Sequence, residues 1–233
     1  MFKKTLAIGA LALFTLTSTV FATAAGAAGP SADVPAAPAI SVAVADDISE
    51  QEALGLQFMR EEEKLAHDVY VTMYKKWGLP IFNNIASAEQ KHTDAVVTLL
   101  DRYDLADPAD GKALGEFTDA DLQALYDQLI RQGNESAADA LKVGLAIEEI
   151  DILDLQERLA ETDNADVQMV FKNLMTGSEN HLRAFARNLQ SRTGDTYEPQ
   201  YMSQTAYGAI INAASGRGGG NGGWSGRGGG RWQ

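Results

Sequence analysis

The sequence contains no cysteine. This absence excludes disulfides, thiolate metal sites and a cysteine nucleophile, so the folded part must depend on its core, with a bound metal as the other available support. Histidine is also scarce, with three residues in the chain, and neither His92 nor His181 has an evident nucleophilic partner. The sequence therefore does not support a serine or cysteine hydrolase.

Long apolar runs are missing beyond the first residues of the chain. Lys3 and Lys4 precede an apolar run and a small-residue segment that ends near Ala24, which predicts a secretory signal peptide over residues 1–24. A transmembrane anchor is the alternative, but the run is short for a bilayer. We therefore expect an exported protein, located in the periplasm, outside the cell or at the cell surface.

Two further segments lack the periodicity of helices and strands. Residues 25–47 are rich in Ala and Pro and are predicted to form a linker. Residues 199–233, which become a Gly/Arg/Trp-rich stretch from residue 216, are predicted to form a disordered tail. Between these segments, residues 48–198 are enough to bury a single hydrophobic core.

Positive charge is underrepresented in this central domain. It holds 29 of the 32 acidic residues and 14 of the 19 basic residues. Such a domain is expected to attract cations and to repel nucleic acid, whereas the basic tail is suited to contact an anionic surface or polymer.

Alternating strand patterns are absent, and apolar residues recur instead at three- and four-residue steps. Ser49 and Glu52 form a capping box before the first helix, Pro80 suits the first turn of the second, and Thr118 with Asp121 is the predicted cap of a short helix. The predicted helices cover about 49–77, 80–103, 118–131, 134 or 136 to 161, and 163 or 164 to 193. This pattern predicts an all-α fold, a four-helix bundle with a long crossover that contains the short helix, which is the connectivity of ferritin-like bundles.

The long helices carry a pattern that occurs twice. The stretch EEKLAHDV, which begins at Glu62, aligns with EEIDILDL, which begins at Glu148, at an offset of 86 residues. The second and fourth long helices align at His92 and His181, at an offset of 89. These matches suggest that a helical hairpin was duplicated, with chance similarity of short motifs as the alternative.

A polar pair interrupts the apolar face of the second helix. Ile85, Glu89, His92, Val96 and Leu99 follow steps of four, three, four and three residues, so Glu89 and His92 should face the core. A buried carboxylate needs a partner or a proton, and a metal shared with other inward carboxylates would be such a partner. Comparable lines on the other helices contain the remaining candidate ligands: Glu62 or Glu63, Glu148 or Glu149, and His181. Together they supply most of a dinuclear carboxylate site inside a bundle.

Each candidate also has an interpretation without a metal. A single histidine is often a hydrogen-bonded core residue, and residues 61–63 alone would be a solvated acidic face. Asp151 and Asp154 are compatible with surface acids, although Asp151 lies three residues after Glu148 and is a spare ligand. His67 is expected to be exposed.

Four motifs carry a family resemblance over about residues 50 to 195: MREEEKLAHDVY, IASAEQKHTDAV, AIEEIDILDL and GSENHLRAFARNL. They resemble a bacterial and archaeal family of unknown function assigned to the ferritin-like superfamily. The layout is also similar to rubrerythrin, in which a Glu of the first helix is followed by Ala three and Tyr seven residues later. Glu63, Ala66 and Tyr70 match this spacing, so the resemblance favours Glu63 over Glu62.

The internal repeat then favours Glu149 over Glu148 on the third long helix. One departure from the resemblance concerns the fourth helix, where a second Glu-x-x-His would be expected but Ser178 precedes His181 by three residues. The missing carboxylate puts a second ion, and with it di-iron oxygen chemistry, in question.

The resemblance implies an exported metal-binding protein that holds one or two iron or manganese ions, with ferroxidase or peroxide-related redox activity. Zinc also suits a donor set of imidazole and carboxylate without thiolates. The alternative is a surface interaction module with a structural or degenerate metal site, which acts through its linker and tail. A metal-storage cage is disfavoured by these long extensions, whereas smaller homo-oligomers stay open.

Overall fold

The computed structural model describes residues 48–213 of the chain. This range contains helices α1 (Glu50–Trp77), α2 (Pro80–Arg102), α3 (Ala120–Gly133), α4 (Ala137–Glu161), α5 (Ala165–Thr193) and α6 (Gln204–Asn212). No strand occurs between residues 48 and 213, so the all-α prediction is confirmed. The predicted signal peptide and linker and the Gly-rich part of the predicted tail lie outside the described residues.

The four long helices form two hairpins. Helices α1 and α2 make the first hairpin and α4 and α5 make the second, each through a connection of a few residues. The hairpins pack through α1 against α4 and α2 against α5. Between them runs the crossover, residues 103–136, whose helix α3 packs against α1 and α4. None of the helices between residues 48 and 213 combines the length and apolarity required to cross a membrane.

Local sequence signals set most helix ends. Ser49 and Glu52 form the predicted capping box at the start of α1. Gly78 ends α1 in the left-handed region at φ 64°, which glycine adopts without a steric cost. The predicted cap of α3 is wrong in detail, because the Asp119 side chain accepts from the backbone of the first turn, whereas the Thr118 hydroxyl donates to the Pro108 carbonyl.

The apolar core consists of two clusters with a polar layer between them. One cluster includes Tyr70, Phe82 and Phe185, and the other includes Leu56 and Phe171. On each of the four long helices, buried polar residues lie between positions that belong to these clusters. The layer is therefore enclosed by hydrophobic packing above and below.

Several buried carboxylates hold the connecting segments onto the long helices. Glu61 accepts hydrogen bonds from the backbone of the crossover at residues 118 and 119, and Asp68 accepts one from Gly115. Glu52 accepts from Ser49 and from Asn164, at the start of α5. A backbone N–H that donates to a carboxylate satisfies both buried groups at once.

The folded part extends beyond residue 198, which corrects the predicted boundary of the tail. Tyr197, Met202 and Tyr207 are buried against the bundle, and α6 packs against α5. The backbone N–H groups of residues 200–202 all donate to the Glu149 carboxylate, at 2.7 to 3.1 Å. The apolar residues between Tyr201 and Ile211 were the sequence signal that could have located this boundary.

Replacement of Glu149 by Gln tests this attachment. We expect Glu149→Gln to lower the free energy of unfolding by about 2 kcal/mol, because buried N–H groups lose their ionised acceptor. Chemical denaturation measures this loss, and hydrogen exchange should rise at residues 200–202. Glu198→Gln, an exposed acid on the same segment, is the matched control. Equal stability and exchange in the two variants would contradict the assigned role of Glu149.

Candidate metal centre

Glu89 lies at the middle of the polar layer with one histidine beside each of its oxygens. Its Oε2 atom is 2.8 Å from Nδ1 of His92, which lies one turn later on α2. Its Oε1 atom is 2.8 Å from Nδ1 of His181 on α5, although the two atoms are not aligned for a hydrogen bond. Glu89 is 2 % exposed, so both contacts are made inside the bundle.

Each histidine has a second carboxylate from its own hairpin. His92 Nδ1 is 3.2 Å from Oε2 of Glu63 on α1, and His181 Nδ1 is 3.6 Å from Oε2 of Glu148 on α4. Two groups of three ligands result, Glu63–Glu89–His92 and Glu89–Glu148–His181, and the ligand atoms in each lie within 4.8 Å of one another. Glu89 belongs to both groups.

The protonation of the central groups follows from their mutual contacts. Burial opposes the charge of Glu89, but the close contacts with His181 and His92 and the positive charge of these rings outweigh it and lower the pKa of Glu89 to about 2. Burial likewise opposes protonation of the histidines. Glu63 and Glu89 nevertheless raise the pKa of His92 to about 11, and Glu148 and Glu89 raise that of His181 to about 10.

The two outer carboxylates respond in the opposite direction to Glu89. Burial raises the pKa of Glu63 to about 7, against the hydrogen bond with His92, and the charge of Glu89 adds to the increase. Burial and the charge of Glu89 raise the pKa of Glu148 to about 7 as well. At neutral pH, a cation that binds here therefore has to displace protons from carboxyl and imidazole groups.

Several buried carboxylate and imidazole atoms in this layer have no hydrogen-bond partner within the described residues. They are Oε1 of Glu63, Oε1 of Glu89, Nδ1 of His181, Oδ1 of Asp151 and both carboxylate oxygens of Glu62. Buried polar atoms without partners are costly and rare in proteins, and a cation between them would remove the cost. The residues present thus fit a metal, and their imidazole and carboxylate donors suit iron, manganese or zinc.

Tyr70 and a glycine fix the orientation of two ligands. The Tyr70 hydroxyl donates to Oε1 of Glu148 at 2.6 Å, and its ring packs against Phe185 at a centroid distance of 5.2 Å. Gly177 on α5 leaves room for the His92 imidazole, because a Cβ at this position would collide with Nε2 and Cε1 of that ring. The rings of His92 and His181 stack at 5.5 Å.

The structure separates the adjacent glutamates that the sequence left as alternatives. Glu63 and Glu148 belong to the ligand groups, whereas Glu62 and Glu149 do not. The preference for Glu149 over Glu148 is therefore corrected, since Glu149 is occupied by the backbone of residues 200–202. The repeat was aligned one residue out of register, because Glu63 corresponds to Glu148 in its contacts.

Glu62 belongs to a separate carboxyl pair beside the centre. It is 3 % exposed, and Asp154 on α4 lies next to it. Burial, and then the charge of Asp154 and Asp151, raises the pKa of Glu62 well above its usual value. The pKa of Asp154 is raised as well, as expected for two neighbouring buried carboxyl groups, of which one resists ionisation.

Asp151 is a further buried acid, which the sequence pattern indicated only as a surface acid or a spare ligand. It lies one turn after Glu148 on α4, is 5 % exposed, and its Oδ2 accepts a hydrogen bond from the Ser178 hydroxyl. Burial, followed by the charge of Glu63, raises its pKa well above the ordinary value, although the Ser178 hydrogen bond works against this. The three-residue spacing from Glu148 was the sequence signal that could have identified Asp151 as a residue of the buried polar layer.

The fold and the site define an all-helical bundle whose interior holds carboxylate and histidine groups able to bind a metal. The chain belongs to the family described as uncharacterized protein domain DUF2202, whose model matches residues 52–214. This match confirms the resemblance to a family of unknown function, whereas membership of the ferritin-like superfamily stays a prediction.

A relative from the archaeon Methanocaldococcus jannaschii, uncharacterized protein MJ0754, is 50 % identical over 171 residues, which are 73 % of this chain and 92 % of the relative. The crystal structure of the hypothetical protein MJ0754 from Methanococcus jannaschii is similar to this chain with a TM-score of 0.70 and 46 % identity. That match covers 79 % of this chain and 99 % of the crystallised one. This chain thus shares its fold with a solved structure over nearly the whole length of the crystallised chain.

The stability of the metal-free protein should fall as the pH rises from about 5 to about 9. Glu63 and Glu148 keep their protons in the folded protein up to about pH 7, whereas the usual pKa of glutamate, expected in the unfolded chain, is 4.5. Their contribution to stability is therefore complete below pH 4.5 and is lost as the pH rises through 7. His92 and His181, whose usual pKa is 6.5, act in the same direction up to pH 10 or 11.

Thermal unfolding of chelator-treated protein across this pH range measures the effect. The double variant Glu63→Gln/Glu148→Gln should show a shallower decline between about pH 5 and 7, because glutamine does not titrate. A melting temperature that rises with pH in the wild-type protein would contradict the assigned protonation states.

A methyl group at position 177 should displace the His92 ring. In Gly177→Ala, the new Cβ collides with this ring, so we expect the imidazole to move away from Glu63 and Glu89. The pKa of His92 should then fall from about 11 toward its ordinary value of about 6.5, as measured by NMR titration. Gly208→Ala, where the nearest atom is 4.0 Å from the added Cβ, is the control. An unchanged His92 titration in Gly177→Ala would contradict this prediction and would show that other atoms move to remove the collision.

Proposed function

We propose that this protein binds two transition-metal ions, iron or manganese, in a ferritin-like carboxylate–histidine centre and uses them in redox chemistry. The observation that carries this proposal is the position of Glu89, which has an imidazole beside each oxygen and belongs to both ligand groups. A single buried carboxylate between two histidines, each with its own outer carboxylate, is the arrangement expected for a bridged pair of ions.

Each ion would be held mainly by one hairpin. Glu63 and His92 would bind the first ion, Glu148 and His181 would bind the second, and Glu89 would bridge them. Imidazole and carboxylate ligands without thiolates favour iron or manganese in a redox role, and they also accept zinc. The acidic surface of the domain would raise the local concentration of cations around it.

When bound, iron or manganese supplies one-electron oxidation and reduction, with ferrous ions, oxygen or peroxide as the corresponding substrates. The protein contributes a buried layer between two apolar clusters, which strengthens each charge interaction inside it. Tyr70, whose pKa is raised well above its usual value by burial and by the charge of Glu148, stays protonated and holds Glu148 in place. Such outer hydrogen bonds orient metal ligands.

We further propose that the chain acts after export, in the periplasm or at the cell surface. The amino-terminal sequence of residues 1–24 supports this location through its basic start and apolar run. An extracytoplasmic redox centre without cysteine would not depend on the thiol state of its compartment.

Metal content should follow the ligand groups and not the neighbouring glutamates. Elemental analysis of protein purified without chelator or histidine tag is expected to give about two equivalents of iron or manganese, or to reach two on reconstitution. Glu63→Gln and Glu148→Gln should each lower the affinity for one ion by roughly 100-fold, because a ligand is lost. Their neighbours provide matched controls, since Glu62→Gln and Glu149→Gln replace a buried carboxyl group one residue away without removing a ligand.

Glu89→Gln should lower the affinity for both ions, because both ligand groups contain this residue. Protein that binds two ions is then tested for oxidation of ferrous iron by oxygen and by peroxide. Absence of metal after purification, with no uptake of Fe²⁺ or Mn²⁺ on reconstitution, would overturn the proposal. The alternative of a surface interaction module would then become the leading hypothesis.

A further inference from the structure

The two hairpins contribute unequally to the proposed centre. On α2, Glu89 precedes His92 by one turn, whereas on α5 the residue one turn before His181 is Ser178. Ser178 is 1 % exposed and faces the same polar layer. A centre built by two equivalent hairpins would have a carboxylate at this position.

The Ser178 hydroxyl donates to a carboxylate that comes from another helix. Its partner is Oδ2 of Asp151 on α4, which leaves Oδ1 of Asp151 buried and without a hydrogen-bond partner. The charged groups that act on the Asp151 carboxyl are Glu63, Glu89 and His92, so Asp151 lies on the side of the first ligand group. The carboxylate missing from α5 is thus replaced by one from α4 that reaches the same layer.

We propose that Asp151 is the fourth carboxylate of the centre and binds the ion held by Glu63 and His92. Ser178 is the positioning residue that fixes one oxygen of Asp151 and leaves the other free to bind. This inference rests on the proposed function, because it assigns a ligand within the same two-ion centre.

Charge balance supports a fourth carboxylate. Two divalent ions with neutral imidazoles and the carboxylates of Glu63, Glu89 and Glu148 retain one net positive charge. An uncompensated charge is costly in a buried site, and one further carboxylate neutralises it. Asp151 is available for this role because no backbone N–H of the described residues donates to it, in contrast to Glu149 on the same helix.

Metal titration of the full-length mature protein tests the assignment. Mn²⁺ is added to chelator-treated protein and followed by electron paramagnetic resonance, which reports both the number of ions bound and the magnetic coupling between them. The wild-type protein should bind two coupled ions. Asp151→Asn keeps the volume and an acceptor for Ser178, so it should retain one ion at near wild-type affinity and bind the other roughly 100-fold more weakly.

Asp154→Asn is the matched control, because Asp154 lies one turn further along α4, beside Glu62 and outside both ligand groups. It should bind two coupled ions with wild-type affinity. The double variant Asp151→Ala/Ser178→Glu moves the carboxylate back to α5 and should again bind two ions, whereas Asp151→Ala alone should bind only one of them tightly.

Two coupled ions bound by Asp151→Asn with wild-type affinity would overturn this inference and leave the proposed function intact. Failure of the wild-type protein to bind two ions would instead overturn the proposed function. Unfolding of metal-free Asp151→Asn gives a second measurement. Loss of a buried charge should leave its stability equal or higher, so a clear loss of stability with both ions still bound would assign Asp151 a purely structural role.

Discussion

Each carboxylate inside this bundle needs hydrogen-bond donors, a proton or a cation, because an ionised group without them is costly to bury. The buried acids satisfy this constraint in two ways. Glu52, Glu61, Asp68 and Glu149 accept hydrogen bonds from backbone N–H groups, and in doing so they attach the connecting segments to the long helices. In the central layer, Glu63, Glu89 and Glu148 have histidine or tyrosine beside them. Asp151 has Ser178 and Glu62 has Asp154 as a neighbour, and most of these acids retain an oxygen without a partner among the described residues. The kind of hydrogen-bond donor therefore distinguishes the acids that attach connecting segments from the acids of the candidate centre.

The arrangement of the helices could be predicted from the sequence, because the signals that determine it are local. Apolar spacing, the Ser49 capping box, Gly78 and Pro80 define the helices and their ends to within a few residues. The inward direction of Glu89 also follows from spacing, since apolar residues precede and follow it on one face of α2. Both features require only the geometry of a single helix.

The identity of the ligand within each glutamate pair could not be predicted from the sequence, because it depends on what surrounds each helix. Helix α1 is covered by the crossover, by α4 and by α2, so Glu61, Glu62 and Glu63 are all buried although successive residues point in different directions. On α4, Glu148 and Glu149 both follow apolar lines. What distinguishes them is the backbone of residues 200–202, a segment whose sequence suggested a disordered tail.

The division of ligands between the hairpins also has a mechanical consequence. Four of the five ligands proposed for the two ions form two pairs, and the two members of each pair belong to the same hairpin. The fifth ligand, Glu89, reaches from the first hairpin to His181 in the second. With Asp151, a second side chain would reach in the opposite direction. The occupied centre would then resist a shearing movement of one hairpin against the other, because side chains from both hairpins would bind the same ions. Loading would stiffen the interface between α2 and α5 more than either hairpin itself, so the interior chemistry would control how firmly the two halves of the molecule are joined.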